Sequence, residues 1–364
     1  MSPSRRADAR WTPDDVARMR LLSHRLVDPL PTPTDVVRHL TCVQGQDYPG
    51  STTSIALRTQ SRRLDQVRAT YDAGQIVRSW PMRGTLFVVP AEDLGWMLGL
   101  TGPKVLRETT RRREQLGLGD RDLARAEAVA LDVLRGDGLT RAELLAAWEQ
   151  AGHSTEGGRG YHSIFHLAVR GLLCQGPTVG KEQRFVLTDE WIASPRRLDR
   201  DTAVAEWLTR YARSHGPVPV ADFLWWTKLL KRDVAPVLDQ LRTETDVLEA
   251  ILVDGTEHWV DPAVLDTYAA ARRATARPLL LPGFDELVLG YGDRRAVLTQ
   301  AEEAAVVPGG NGVFRATLVR AGKALGTWKR PGRAGESVVV EPFAPPLPGP
   351  VQRALPRLTA DLPA

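Results

Sequence analysis

Gln44 and Gln46 stand one residue apart in the stretch TCVQGQDYPG, with Gly45 between them and Asp47 directly after. Each side-chain amide offers a carbonyl acceptor and an N–H donor, so two of them close in space can hold one water and aim its lone pair. Neither amide titrates near neutrality, so the pair suits positioning rather than proton abstraction. Asp47 adds a carboxylate that fits either a base or the N-cap of the following segment. A purely structural alternative stands beside this chemistry. In it Gln44 ends a helix, Gly45 is its C-terminal glycine, and Gln46 with Asp47 begins the next turn.

Other residues carry charge at suggestive spacings. Arg111, Arg112 and Arg113, preceded by Lys104 and Arg107, form a basic cluster that fits phosphate contact or a solvated helix face. His162, His166 and Arg170 fall at i, i+4 and i+8 of a helical stretch, opposite Ile164, Leu167 and Leu172. His-x-x-x-His is also a zinc spacing, but no third ligand follows at a motif distance, so a solvated or nucleic-acid-facing surface is expected and no metal. Lys329 and Arg330 close the run GTWKR, where a backbone-tracking role and a surface role are equally open. Trp225 and Trp226 cannot share one helix face, so at least one belongs to the core. No Walker loop, dinucleotide fingerprint or Ser-His-Asp order occurs. Cys42 and Cys174 have no framework spacing and read as buried small hydrophobes.

The elements that position these residues repeat. Thr12, Pro13 and the shared face of Val16, Met19, Leu22 and Leu26 mark a first helix. PTPTDVVRHLTCVQ predicts a second from about Thr34 and LDQVRATYDAG a third ending at Gly74, followed by strand-like IVRSWP and GTLFVVP. The same order returns in LARAEAVALDVLRG, TRAELLAAWEQAG with a capping box from Thr140 to Glu143, YHSIFHLAVRGLL, LCQGPTV and RFVLTD. It returns again in TAVAEWLTRYARSHG, VADFLWWTKLL, KRDVAPVLDQLRTE and two strands joined by Asp254-Gly255, a strong hairpin signal. Three helices and a hairpin make a winged helix, whose third helix usually enters the DNA major groove. Three such units at intervals of roughly 70 to 80 residues are expected in tandem.

Beyond ARRATARP the sequence turns Gly-rich and strand-like in LLLPGFDELVLGY, RRAVLTQ, NGVFRATLVRAGKALGTWKR and GESVVVEPF. The expected class is α+β: winged helices over 1–118, 119–198 and 199–275, then a small β-rich domain over 276–364. A length of 364 residues exceeds one ordinary core, and 43% hydrophobic with 25% charged residues describes a globular chain, neither disordered nor membrane-embedded. MSPSRRADARW has no apolar region behind its basic residues, so a cytoplasmic protein is expected. The excess of 48 Lys and Arg over 44 Asp and Glu is too mild to require a polyanion and only permits one.

CVQGQDYPGSTTSIALR, IVRSWPMRGTLFVVPAEDL, HGPVPVADFLWW, LLPGFDELVLGYGDR and NGVFRATLVRAGKALGTWKR together resemble, in order and across nearly the whole chain, the AlkZ-like DNA glycosylases. That family is associated with resistance to azinomycin-type alkylating natural products. The resemblance implies a signature of glutamine, an aliphatic residue, then glutamine or aspartate in the first winged helix. Gln44 and Gln46 match its polar positions, and Gly45 departs at the middle. Phe87 stands in RGTLF where relatives often have histidine, and Arg83 occupies a matched position suited to phosphate contact. The implied activity is monofunctional excision of bulky N7-alkylpurines from duplex DNA, without cofactor, by a monomer. An N7-alkylated guanine already carries positive charge, so a positioned water suffices where an ordinary base needs a carboxylate. The alternative of another class is a non-catalytic winged-helix protein, a regulator or lesion-binding factor.

Overall fold

The computed structural model describes residues 10–180, 182–243, 246–310, 312–330 and 336–364. Residues 1–9, which carry most of the stretch behind the leader reading, lie outside the described residues. The chain forms two compact units, one joining everything up to Leu64 with Val204–Ala364 and the other spanning Asp65–Ala203. The four expected segments describe order along the chain, whereas these units describe packing. Among the described residues no helix is long and apolar enough to cross a membrane.

In the unit Asp65–Ala203 a helix at Leu64–Asp72 leads into strands Ile76–Met82 and Thr85–Pro90. They join through Arg83 and Gly84, both at positive φ (58° and 67°), the geometry of a tight hairpin turn whose twist suits the strands. Helices Asp120–Val133, Arg141–Gln150 and Arg159–Val169 precede strands Leu173–Val179 and Glu182–Leu187, in the expected order. The capping box forms: Glu143 N–H donates to the Thr140 hydroxyl, and the Glu143 carboxylate accepts the Thr140 N–H at 2.8 Å. Strand Ile76–Met82 pairs with Leu173–Val179, so the two hairpins share one antiparallel sheet. Trp148, Leu144, Ile164, Phe165 and Leu167 form the core beneath it.

In the other unit the helix Pro13–Ser23 starts at Thr12 with a capping box to Asp15, and it buries Val16, Met19 and Leu22 against Ile251, Val253 and Val260. Helices Arg200–His215, Val220–Thr227 and Lys231–Leu241 precede strands Glu249–Val253 and Thr256–Val260. Asp254 and Gly255 supply the positive φ (47° and 76°) that their turn requires. Strands Val339–Pro342, Lys323–Lys329, Thr317–Arg320 and Pro278–Leu281 form an antiparallel sheet in that order.

Several expectations are corrected. RRAVLTQ is not a strand: it turns and then starts the helix Gln300–Val306, capped reciprocally by Thr299 and Glu302. Helices also occupy Leu94–Glu108 and Gly349–Ala360, which the expected order of elements did not contain, and the segment after Asp47 is the helix Tyr48–Leu57 that the N-cap alternative for Asp47 implies. Tyr48–Leu57 buries every residue from Gly50 to Leu57, so it lacks the polar stripe that marks an amphipathic helix. Its Thr52 and Thr53 hydroxyls bond back to the carbonyls of Tyr48 and Pro49 at 2.8 Å, so burial leaves them satisfied.

Candidate active site

The helix Pro33–Leu40 stops at Thr41, whose φ of 68° and ψ of −51° make a tight γ-turn with the Cys42 N–H donating to the Leu40 carbonyl at 2.8 Å, and the chain runs on extended through the short strand Val43–Gln44. Gln44 therefore does not end a helix, and Gly45 is not a helix C-cap. Gln44 is 5% exposed and is held from both sides. Its backbone N–H donates to Glu286 Oε1 at 2.8 Å, and its side-chain Oε1 accepts the Gln46 N–H at 2.6 Å. One carbonyl lone pair remains for a second donor. The glutamines thus meet through a backbone N–H, while Gln46 itself is exposed.

Asp47 takes the N-cap position of Tyr48–Leu57, but its side chain makes no capping hydrogen bond. Its carboxylate instead lies over Gly50, where a Cβ would come within 2.5 Å of Oδ2 and 3.2 Å of the Gly283 carbonyl. Glycine at position 50 lets the 44–47 loop and the 283–286 loop meet. Phe284 in the second loop sits at φ 59°, a conformation costing a bulky residue on the order of 1–3 kcal/mol, which its surroundings must enforce.

Those surroundings are a buried polar cluster. Asp285 and Arg58, both fully buried, form a two-pronged ion pair with contacts of 2.8 Å, and the Ser54 hydroxyl donates to the same carboxylate at 2.7 Å. Burial pushes the Asp285 carboxyl up, but the Arg58 charge and these hydrogen bonds prevail and hold it below its ordinary value. Glu286, also fully buried, turns its other oxygen to His215 Nε2 at 3.6 Å. His215 Nδ1 lies 2.9 Å from the Ser214 hydroxyl, which donates to the Arg210 carbonyl at 2.7 Å. The Ser214 hydroxyl thus links the ring to its own helix backbone, while Nε2 points at Glu286 beyond hydrogen-bond distance. Behind it, the Tyr291 hydroxyl donates to the His215 carbonyl and accepts from His24 Nε2, each at 2.8 Å. Arg20 stacks on the Tyr291 ring at 3.7 Å. Burial keeps His215 below its ordinary range, and burial with neighbouring positive groups keeps His24 well below it.

Sequence reasoning missed Glu286, Asp285, His215, His24 and Arg58. The signal was present in GFDELVL, where two adjacent acids interrupt an apolar run, a setting in which charges need partners.

The other candidates lie elsewhere. Arg111 and Arg112 are exposed on the helix Thr110–Gln115, and Arg113 bonds the Leu106 carbonyl at 2.9 Å and the Thr109 hydroxyl at 2.7 Å. His162 and His166 sit half-buried on Arg159–Val169, and Arg170 at its end pairs with Glu127. Burial first, then Arg112 and Arg113, lower His162; burial, Arg113 and Arg170 lower His166 to about 4. The arginine cluster and the histidine face are thus electrostatic neighbours within one unit. Among the described residues no group of three His, Cys, Asp or Glu side chains is placed to hold a metal ion. Arg83 occupies the turn described above. Lys329 pairs with Glu341 at 3.0 Å in the C-terminal sheet, with exposed Arg330 beyond it. Phe87 is fully buried opposite Ser79, Trp226 is buried while Trp225 reaches the surface, and both cysteines are buried.

A family model described as DNA glycosylase AlkZ-like matches residues 37–362. The interstrand DNA cross-link repair glycosylase of Streptomyces sahachiroi is 27% identical over 326 residues, covering 86% of this chain and 85% of that protein. The solved structure of Streptomyces sahachiroi DNA glycosylase AlkZ superposes with a TM-score of 0.78 at 23% identity, covering 98% of each chain. A match over nearly all of the sequence settles the membership: the chain belongs to the AlkZ-like family of DNA glycosylases.

Proposed function

We propose that this enzyme excises bulky N7-alkylpurines from duplex DNA, hydrolysing the N-glycosidic bond and leaving an abasic site. The observation that carries the reading is buried Gln44, its side-chain carbonyl accepting the Gln46 N–H with one lone pair unspent and its backbone N–H donating to Glu286. That lone pair accepts a proton of the hydrolytic water, and the exposed Gln46 amide supplies its second contact. Alkylation at N7 makes the base a cationic leaving group, so a held water completes the step that a carboxylate assists elsewhere. Asp47, in the same loop, is the carboxylate to which we assign a supporting part in polarising that water.

The helix and hairpin order supports tandem winged helices as the DNA grip, with Arg83, Arg111, Arg112, Arg113, His162, His166 and Arg170 toward phosphates and Lys329 with Arg330 as a second contact. The enzyme acts as a cytoplasmic monomer. The Streptomyces relative is named for interstrand cross-link repair, and we extend unhooking of cross-links, and a role in self-resistance to an alkylating natural product, to this chain. The test is incubation with duplex DNA carrying N7-methylguanine or a bulkier N7 adduct, scoring free base and alkali-labile sites. Release that is lost in Gln44→Ala and Gln46→Ala supports the reading. Tight adduct binding with no release from any adduct favours a lesion-binding protein.

A further inference from the structure

We propose that Glu286 is a positioning residue for base excision, holding Gln44 in its working orientation through the Gln44 backbone N–H. The inference rests on the assignment of Gln44 to the water. Three observations converge on it. Glu286 and Gln44 are 242 residues apart in sequence, yet the carboxylate accepts the N–H of the one residue whose side chain is buried at the catalytic loop. Gln44 lies on a strand of only two residues, and the next residue is a glycine with no side chain of its own to pack. Glu286 in turn is fully buried, its far oxygen 3.6 Å from His215 Nε2, and its neighbour Asp285 is clamped by Arg58 and Ser54. The carboxylate therefore cannot swing away from Gln44 without breaking a fully buried cluster.

The role needs an acceptor oxygen and not a negative charge. An amide at position 286 fits the same geometry, its oxygen toward the Gln44 N–H and its nitrogen toward His215 Nε2. Glu286→Gln is expected to keep the single-turnover rate within about threefold, since a neutral hydrogen bond is retained. Glu286→Met, which fills the space without an acceptor, is expected to lower that rate about 100-fold, the usual cost of misplacing a reacting group by an ångström. Affinity for adducted duplex should stay within about twofold, because Glu286 touches no DNA in this scheme.

The deciding experiment is a double-mutant cycle on the full chain, measuring base release from an N7-methylguanine duplex, duplex affinity and thermal melting together. If Glu286 acts through Gln44, Gln44→Ala combined with Glu286→Met is no slower than Gln44→Ala alone. Additive losses, or a fall in affinity and melting that tracks the fall in rate, overturn the inference in favour of general support of the fold. Loss of activity in a folded Glu286→Gln also overturns it, because charge would then be the requirement. Should Glu286→Met fail to fold, Glu286→Gln decides alone. An impaired Gln44→Ala beside a fully active Glu286→Met sinks this inference and spares the site assignment; a fully active Gln44→Ala overturns both.

Discussion

Gln46 lends its backbone N–H to Gln44 and leaves its side chain in water, so the two glutamines are unequal in what they do for the fold. Gln46→Ala keeps that N–H and should change stability by less than about 0.5 kcal/mol. Gln44→Ala leaves that part-buried donor without its acceptor and empties the buried space of the side chain, and should cost about 1–2 kcal/mol. Urea unfolding separates the two, and equal destabilisation would contradict the asymmetry; both variants should lose base release. The pair was legible in the sequence because two amides one residue apart are rare enough to ask about. Their arrangement was not, since it depends on Thr41 breaking the helix and on an acid that lies far along the chain.

At the scale of elements, the loop carrying Phe284 and Glu286 is tied to the helix Tyr48–Leu57 and the residue after it by the Arg58–Asp285 pair. Asp285→Ala leaves the Arg58 charge buried without its carboxylate and should cost about 3–5 kcal/mol in chemical unfolding. The local signals of helices and turns were readable because they act over three or four residues: Thr12 and Asp15, Thr140 and Glu143, Asp254-Gly255. The helix Tyr48–Leu57 was readable only at its start, through Asp47, because burial of every residue from Gly50 to Leu57 removes the periodicity that marks its course. RRAVLTQ misled because Val297 and Leu298 are buried by a turn rather than by strand alternation. On the helices of the other unit, Arg111→Glu and Arg112→Glu should weaken duplex binding alike for all sequences and lower the salt slope by about one per lost phosphate contact. Arg170→Glu should do less, because Glu127 already holds that charge. Fluorescence anisotropy across a salt series reads all three.

Over the whole molecule, all seven histidines are held below their ordinary value, with burial the largest cause at each. The unfolded chain takes up protons as pH falls through 6.5 while the folded chain resists down to about 4 at His39 and His166. Unfolded protein then binds more protons than folded, so stability is full above pH 6.5 and declines below it. The lowered carboxyls of Asp15 and Asp285 extend the decline below about pH 4, as they lose charge that the fold favours. Urea midpoints from pH 8 to 4 should fall steadily below 6.5, and a flat profile between pH 7 and 5 would contradict this. Activity therefore belongs at neutral pH, where a neutral amide pair faces a cationic base. Single-turnover release should be compared between duplexes carrying N7-alkylguanine and its uncharged 7-deaza isostere with the same alkyl group. Release of the cationic base alone, abolished by Gln44→Ala, is the outcome expected; comparable release of the uncharged base, or of the cationic base by Gln44→Ala, would contradict catalysis by a positioned water on a leaving group already charged.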